Sequence, residues 1–214
     1  VTPVAELDFD TVLATAVHEV KNLMGELSLN LEDYHQRHTD PETEKMLALA
    51  RVLQNRLVQI LILQKAGHQH LTVSADAENP GEFLDEVLSE ARLMLPAAVS
   101  IELLNEADQV PFWFIDRYLV SQVLMNAIHN AGKFAHSRIV LGCREKDGGL
   151  EFSVNDDGPG YPDLAGYRAA LAVENAPRGT GLGLLFNERI AQAHGGHVSR
   201  DNADGARFTL WLPK

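Results

Sequence analysis

The sequence predicts an α-helical hairpin that forms a four-helix bundle with a second copy, followed by an α/β two-layer sandwich. Through residues 9–63 apolar side chains recur every three or four positions, the repeat of amphipathic helices in a bundle. Beyond residue 70 the repeat breaks into short apolar runs interleaved with helical stretches, the pattern of helices layered on a sheet. Two glycine clusters lie in the last third, Asp156-Asp157-Gly158-Pro159-Gly160 and Gly179-Thr180-Gly181-Leu182-Gly183-Leu184. Glycine weakens regular structure, so such clusters point to close approach of the backbone to a ligand. The expected domains are 1–69, the hairpin, and 70–214, the sandwich.

The first helix is expected from about Asp8 to Tyr34, its seam formed by Phe9, Leu13, Ala16, Val20, Leu23, Leu27, Leu31 and Tyr34. Pro41 suits the first turn of a second helix, whose stripe runs through Met46, Leu49, Leu53, Leu57, Ile60 and Leu63 to a stop near Gly67. One hairpin cannot cover both stripes, so a homodimer through residues 8–67 is expected. Strands are then expected at Leu71–Ser74, Val99–Leu104 and Phe112–Ile115, with helices at Gly81–Leu95 and Arg117–Phe134. Ile139–Arg144 and Leu150–Asn155 read as a hairpin turned by Asp147-Gly148-Gly149. A helix from Leu182 to His194, ended by Gly195-Gly196, precedes strands His197–Arg200 and Arg207–Leu212, turned by Asp204-Gly205.

Composition narrows the function. Of 214 residues, 45% are hydrophobic and 22% charged, as in an ordinary globular protein. The net charge of −12 argues against nucleic acid or anionic membrane as the main partner. A nucleotide needs only local cations and backbone amides. Cys143 is the only cysteine, which excludes an internal disulfide and fits a reducing, cytoplasmic setting. No apolar run reaches the roughly 20 residues of a membrane span, and no signal peptide is legible. The chain starts at Val1, and a fragment of a longer protein is expected, any membrane link lying in a missing sensor region.

On the helix Arg117–Phe134, Val120, Val123, Leu124, Ala127, Ile128 and Ala131 form the expected buried face, and Gln122, Asn126, Asn130 and Lys133 another. Asparagine is a poor helix former, so two aligned a turn apart suggest a task. Amide oxygens suit Mg²⁺ and a lysine suits phosphate, although a solvated polar face accounts for the pattern equally well. The strand ending in Asp156 offers a carboxylate to an exocyclic amine such as adenine's; by itself the segment also reads as a surface turn. Gly179–Leu184 precedes a helix whose free N–H groups favour phosphate, with Arg178 adding charge. A P-loop would need Gly-Lys-Ser/Thr, which is absent, and a dinucleotide fingerprint should follow a strand.

In this order the elements resemble the histidine kinase family, whose catalytic domain is shared with gyrase, a chaperone and mismatch-repair ATPases. Leu124–Phe134 looks like that family's asparagine box, Val154–Gly160 like its first glycine box, and Arg178–Leu184 like its second. Ala193-His194-Gly195-Gly196 and Trp211-Leu212-Pro213 are also similar. The resemblance implies the GHKL, or Bergerat, ATP-binding fold with ATP and Mg²⁺ as cofactors. It implies that Asp156 binds the adenine amine, Asn130 ligates Mg²⁺, and Asn126 and Lys133 lie beside the phosphates. It also implies that Gly158, Gly160, Gly179, Gly181 and Gly183, with Arg178, Thr180 and Leu182, form the hinges and floor of an ATP lid.

His18-Glu19-Val20-Lys21-Asn22 is similar to the family's phosphoacceptor box. His18 lies two residues from both Ala16 and Val20, about 200° round the axis, and is expected to face solvent. The resemblance implies that His18 attacks the γ-phosphate, that Glu19 accepts or orients its proton, and that Asn22 serves a phosphatase reaction on the partner. That partner is a response regulator receiver domain. The alternatives are a phosphatase-dominant member and a degenerate phosphotransfer or scaffold protein. The chain departs from the family in carrying Leu23 where proline is usual, so a straighter helix is expected. Residues 161–178 are short, with Tyr161 or Tyr167 in place of a phenylalanine box.

Overall fold

The computed structural model describes residues 9–37, 41–68, 71–161, 182–202 and 204–214, which fall into two compact units dividing between residues 71 and 72. In the first, α1 (Phe9–Arg37) and α2 (Pro41–His68) pack against one another. Only three residues separate them, so the chain reverses into a hairpin. α1 runs unbroken through Leu23, as a helix without an interior proline can. Leu47, Ala50 and Ile62 are buried, with Ser28, Thr43 and Gln59. Much of the expected seam is exposed in the single chain: Leu23 is 58% and Leu49 61% accessible, and Val20, Leu27, Met46 and Leu53 are exposed too. Two helices share one mutual face, so part of each stripe stays exposed in the single chain.

The second unit is an α/β sandwich. Its mixed sheet has the order β2 (Ser100–Glu106), β4 (Arg138–Lys146), β5 (Gly149–Asp156), β7 (Ala206–Pro213) and β6 (His197–Asn202). β2 runs parallel to β4, and the other neighbours are antiparallel. Alternation sends Ile139, Leu141 and Cys143, Leu150, Phe152 and Val154, and Phe208, Leu210 and Leu212 to one buried face. Against it pack α3 (Pro80–Met94), α4 (Arg117–Phe134) and α5 (Leu182–Ala193), contributing Phe83, Leu124, Ile128, Phe186 and Ile190. Phe83 meets Phe152 edge to face at 5.8 Å. Cys143 is a packing group whose thiol is pushed up to about 12 by burial. Among the described residues no helix is long and apolar enough to cross a membrane.

Local chemistry explains the element ends. Asn79 caps α3 by accepting from the Glu82 N–H at 3.0 Å, with Pro80 in the first turn. The β4–β5 hairpin turns on Asp147 (φ 52) and Gly148 (φ 74), the positive-φ pair of a tight two-residue turn, and Gly149 is already paired with Lys146. The expected strand at Leu71–Ser74 does not form. Pairing begins at Asp76, where β1 (Asp76–Glu78) meets β3 (Trp113–Ile115) in a separate antiparallel ribbon. The Ser74 N–H is instead taken by Asp116 Oδ2 at 3.0 Å, so those residues have no ladder to join.

On the sheet face away from the helices, Glu151 is only 6% exposed. Burial pushes its carboxyl up, but hydrogen bonds and charge from Lys146 (3.1 Å) and Arg144 (2.8 Å to Nε) outweigh that and hold it below the usual range. Arg207 adds a third cation at 3.7 Å. Glu151→Ala leaves three neighbouring cations without their counter-charge. Its expected cost is on the order of 2 kcal/mol, between exposed and buried pairs. Urea unfolding against wild type measures it, with the m-value unchanged.

Candidate nucleotide-binding site

The site is built around α4. Asp116 caps the helix, its Oδ1 accepting from the Leu119 N–H at 3.0 Å. Val120, Val123, Leu124, Ala127, Ile128 and Ala131 are buried as expected and seat the helix on the sheet. The expected polar face does not share one environment. Asn130 and Lys133 are exposed, whereas Asn126 is 7% exposed. Its Nδ2 donates to Gly183 O and to Asn187 Oδ1, both at 3.0 Å. Both of these bonds run to α5, so Asn126 pins one helix to another.

β5 delivers the carboxylates. Residues 150, 152 and 154 point to the helix layer, and alternation puts Asp156 on that side, 9% exposed. Its Oδ1 accepts from Gly158 N–H at 2.9 Å and Ala206 N–H at 3.3 Å. Asp157 is committed elsewhere. It accepts from the backbone N–H of His136 (2.8 Å), Ser137 (3.0 Å) and Arg138 (3.1 Å), and from the Ser137 hydroxyl (2.7 Å). The Ser137 backbone and hydroxyl bonds, then the Arg138 bond, hold its carboxyl well below the usual range.

The glycines are constrained by the protein itself. A side chain on Gly158 would overlap the carbonyl of Phe134, the last residue of α4, so the loop after Asp156 lies directly on the helix end. Gly160 has φ +81, and a Cβ there would come within 2.8 Å of Asn202 Oδ1. Asn202 holds the next residue on both sides, accepting from the Tyr161 N–H at 2.7 Å and donating to Tyr161 O at 2.9 Å. Arg200 stacks over the Tyr161 ring, and burial pushes that phenol up to about 12. A Cβ on Gly183 would lie 2.8 Å from the Asn126 amide.

The structure thus gathers Asp156, Gly158 and the C-terminal end of α4 in one place, and Asn126 with Gly183 and Leu182 in another along the same helix. Arg178, Gly179, Thr180, Gly181 and Tyr167 lie outside the described residues. So does the side chain of His18, whose backbone is helical, while Glu19 and Asn22 are exposed on α1. Among the described residues no three His, Cys, Asp or Glu side chains form a metal-holding cluster. A cavity of about 120 Å³ lies between Leu95, Pro96, Ile128 and Gly132, on the α3 side of α4; of the expected site it touches only Lys133.

Three residues outside the expected site prove structural to this region. Asn187, 3% exposed, is a polar residue on the buried stripe of α5 one turn after Gly183, the one sequence signal that could have marked it. Asn202 lies two residues beyond the expected strand His197–Arg200 and ends β6. His194 joins the far ends of the helices: its Nε2 accepts from the Asp116 N–H at 3.2 Å while Nδ1 donates to Ile190 O at 2.8 Å, the neutral tautomer.

A helix layer over a mixed sheet, with a strand-end aspartate and a glycine loop folded onto an asparagine-bearing helix, defines an ATP-binding domain of the GHKL type. Residues 115–214 match the family described as histidine kinase-, DNA gyrase B-, and HSP90-like ATPase. The sensor histidine kinase CpxA of Escherichia coli is 26% identical over 218 residues, covering 94% of this chain and 46% of CpxA. The crystal structure of full-length ShkA in complex with AMPPNP superposes with a TM-score of 0.64 and 25% identity, over 94% of this chain and 45% of that one. The Acinetobacter baumannii histidine kinase AdeS shares the fold at a TM-score of 0.60 and 21% identity, over 92% and 97%. The chain spans about half the length of the curated relatives it matches. Residues 115–214 thus match that ATPase family, and over most of its length the chain is similar to the catalytic cores of histidine kinases.

A depressed carboxyl binds fewer protons in the folded than in the unfolded chain, so the Asp157 contribution is complete above the ordinary carboxylate range. It is lost as pH falls below about 4. Asp157→Asn is expected to lower stability at pH 7 and to flatten the acid limb of a Tm-against-pH profile below pH 4–5, relative to wild type.

Proposed function

We propose that the chain is the core of an ATP-dependent protein histidine kinase that phosphorylates its own His18 and passes the phosphoryl group to an aspartate of a response regulator. The observation that carries the reading is the meeting of Asp156 with Gly158 and the end of α4, next to Lys133 and about one turn from Asn130. Asp156 would take the adenine amine through Oδ2. Asn130 offers an amide oxygen, a hard donor suited to Mg²⁺, with phosphate oxygens and water completing the shell. Lys133 would meet the phosphates, and residues 178–183 would bring N–H groups from the start of α5. Asn126 would hold α5 in register with these groups.

In the transfer, a ring nitrogen of His18 forms the bond to the γ-phosphorus as the bond to the ADP oxygen breaks, and Glu19 accepts or orients the proton on the other nitrogen. Mg²⁺, when bound, neutralises charge on the phosphates. Residues 1–69 would act as the dimerisation and phosphotransfer domain and 70–214 as the catalytic domain. The exposed stripes of α1 and α2 support a homodimer that closes a four-helix bundle. Asn22, exposed a turn beyond His18, would orient water for dephosphorylation of the response regulator. The setting of the reaction would be cytoplasmic.

Incubation with γ-labelled ATP and Mg²⁺ is expected to give an acid-labile, alkali-stable protein label that is lost in His18→Gln and in Asn130→Ala. ATP binding without label would favour a phosphatase, and no ATP binding a scaffold. Asp156→Ala is expected to weaken ATP at least about tenfold, the worth of one charge-assisted hydrogen bond, with the fold retained by circular dichroism. Sedimentation equilibrium is expected to find a dimer, and Leu23→Glu to shift it toward monomer; a wild-type monomer at micromolar concentration would contradict the bundle.

A further inference from the structure

We propose that Asn187 is a positioning residue of the nucleotide site, acting through Asn126; the proposal rests on the ATP reading above. Two side-chain amides buried in contact, at 7% and 3% exposure, are costly unless their donors and acceptors are matched. Here the match has one solution. Gly183 O is a backbone carbonyl and can only accept, so the end of the Asn126 amide facing α5 must be the NH₂ group. That NH₂ also faces Asn187, which must therefore present its own oxygen. Rotating either amide by 180° sets oxygen against oxygen or NH₂ against NH₂. The carbonyl of Gly183 breaks the tie, and Asn187 locks it.

The consequence falls on the helix that carries Asn130 and Lys133. With Nδ2 of Asn126 drawn to α5 by two acceptors, the start of α5 is held against the middle of α4 at a defined height. Gly183 lets the two come this close, since a Cβ there would collide with the Asn126 amide. Remove the Asn187 oxygen and one amide hydrogen of Asn126 loses its partner in a buried place. The amide then has reason to rotate, and the α4–α5 distance, which sets where residues 182 and 183 meet a phosphate, is no longer defined. Phe186 and Ile190 would still pack α5 onto the sheet, so a change in affinity is separable from loss of fold.

The test uses the whole chain and trinitrophenyl-ATP as the fluorescent probe, with Tm measured in parallel. Asn187→Leu, similar in volume but without the acceptor, is expected to weaken the probe about tenfold, the worth of one buried hydrogen bond. Asn187→Asp keeps an acceptor in the same place and is expected to bind within about threefold of wild type, even with a lower Tm from the buried charge. In an Asn126→Ala background the Leu substitution is expected to add nothing, because its route to the site is gone. If Asn187→Leu does not fold, Asn187→Ala serves in the same three comparisons. Wild-type affinity in the Leu variant, or a Leu effect that persists without Asn126, would overturn the proposal. Failure of the wild-type chain itself to bind the probe would remove the ATP reading instead.

Discussion

The arrangement of the site depends on how β5 ends. Asp157 gathers three successive backbone N–H groups of residues 136–138, the link between α4 and β4, with one carboxylate. Charge-assisted bonds to backbone donors are strong and directional, and several on one carboxylate hold it ionised. The exit of α4, the entry of β4 and the end of β5 are thereby one structural unit. With that junction closed, Gly158 lies against the carbonyl of Phe134, and the alternation along β5 turns Asp156 to the helix layer. Of two adjacent aspartates, one is consumed in closing this junction and its neighbour is turned to the helix layer.

Side-chain amides do for the rest of the site what the Asp157 carboxylate does for the junction. Asn202 holds the backbone on both sides of Tyr161, and Asn126 with Asn187 holds the start of α5. An amide carries donor and acceptor on one short, stiff group, so it can stand in for a missing strand or helix neighbour where the chain is irregular. His194 completes the set by bridging the start of α4 to the end of α5 in its neutral form. α5 is therefore tied at both of its ends to α4, at the start and the middle of that helix, as well as packed on the sheet.

Legibility in the sequence followed the physics of each element. The buried face of α4 was readable because apolar residues at helical spacing have one outcome, burial against a sheet. The β4–β5 hairpin was readable because Asp147 and Gly148 tolerate positive φ. The segment Leu71–Ser74 was misread because short apolar alternation says nothing about whether a partner strand lies within reach. Asn126 shared a helical face with Asn130 on paper, and only the arrival of α5 made the first a buried pin while the second stays exposed. The glycines were recognised as places of close approach, but what approaches Gly158, Gly160 and Gly183 in the structure is the protein's own backbone and amides.

What the sequence determined alone was whatever depends on neighbours within about four residues. The two helical stripes, the caps and turns, the strand ending in Asp156 and the order of asparagine helix and glycine boxes are all of that kind. What only the tertiary structure decided depends on contacts between residues 20 to 61 positions apart. These contacts chose Asp157 over Asp156 as the clamp, paired Asn126 with Asn187, and set Asn202 on Tyr161. Local patterns record conformational preference and burial. They do not record which of several identical polar groups finds its partner, because that choice is made by the register in which helices and strands meet.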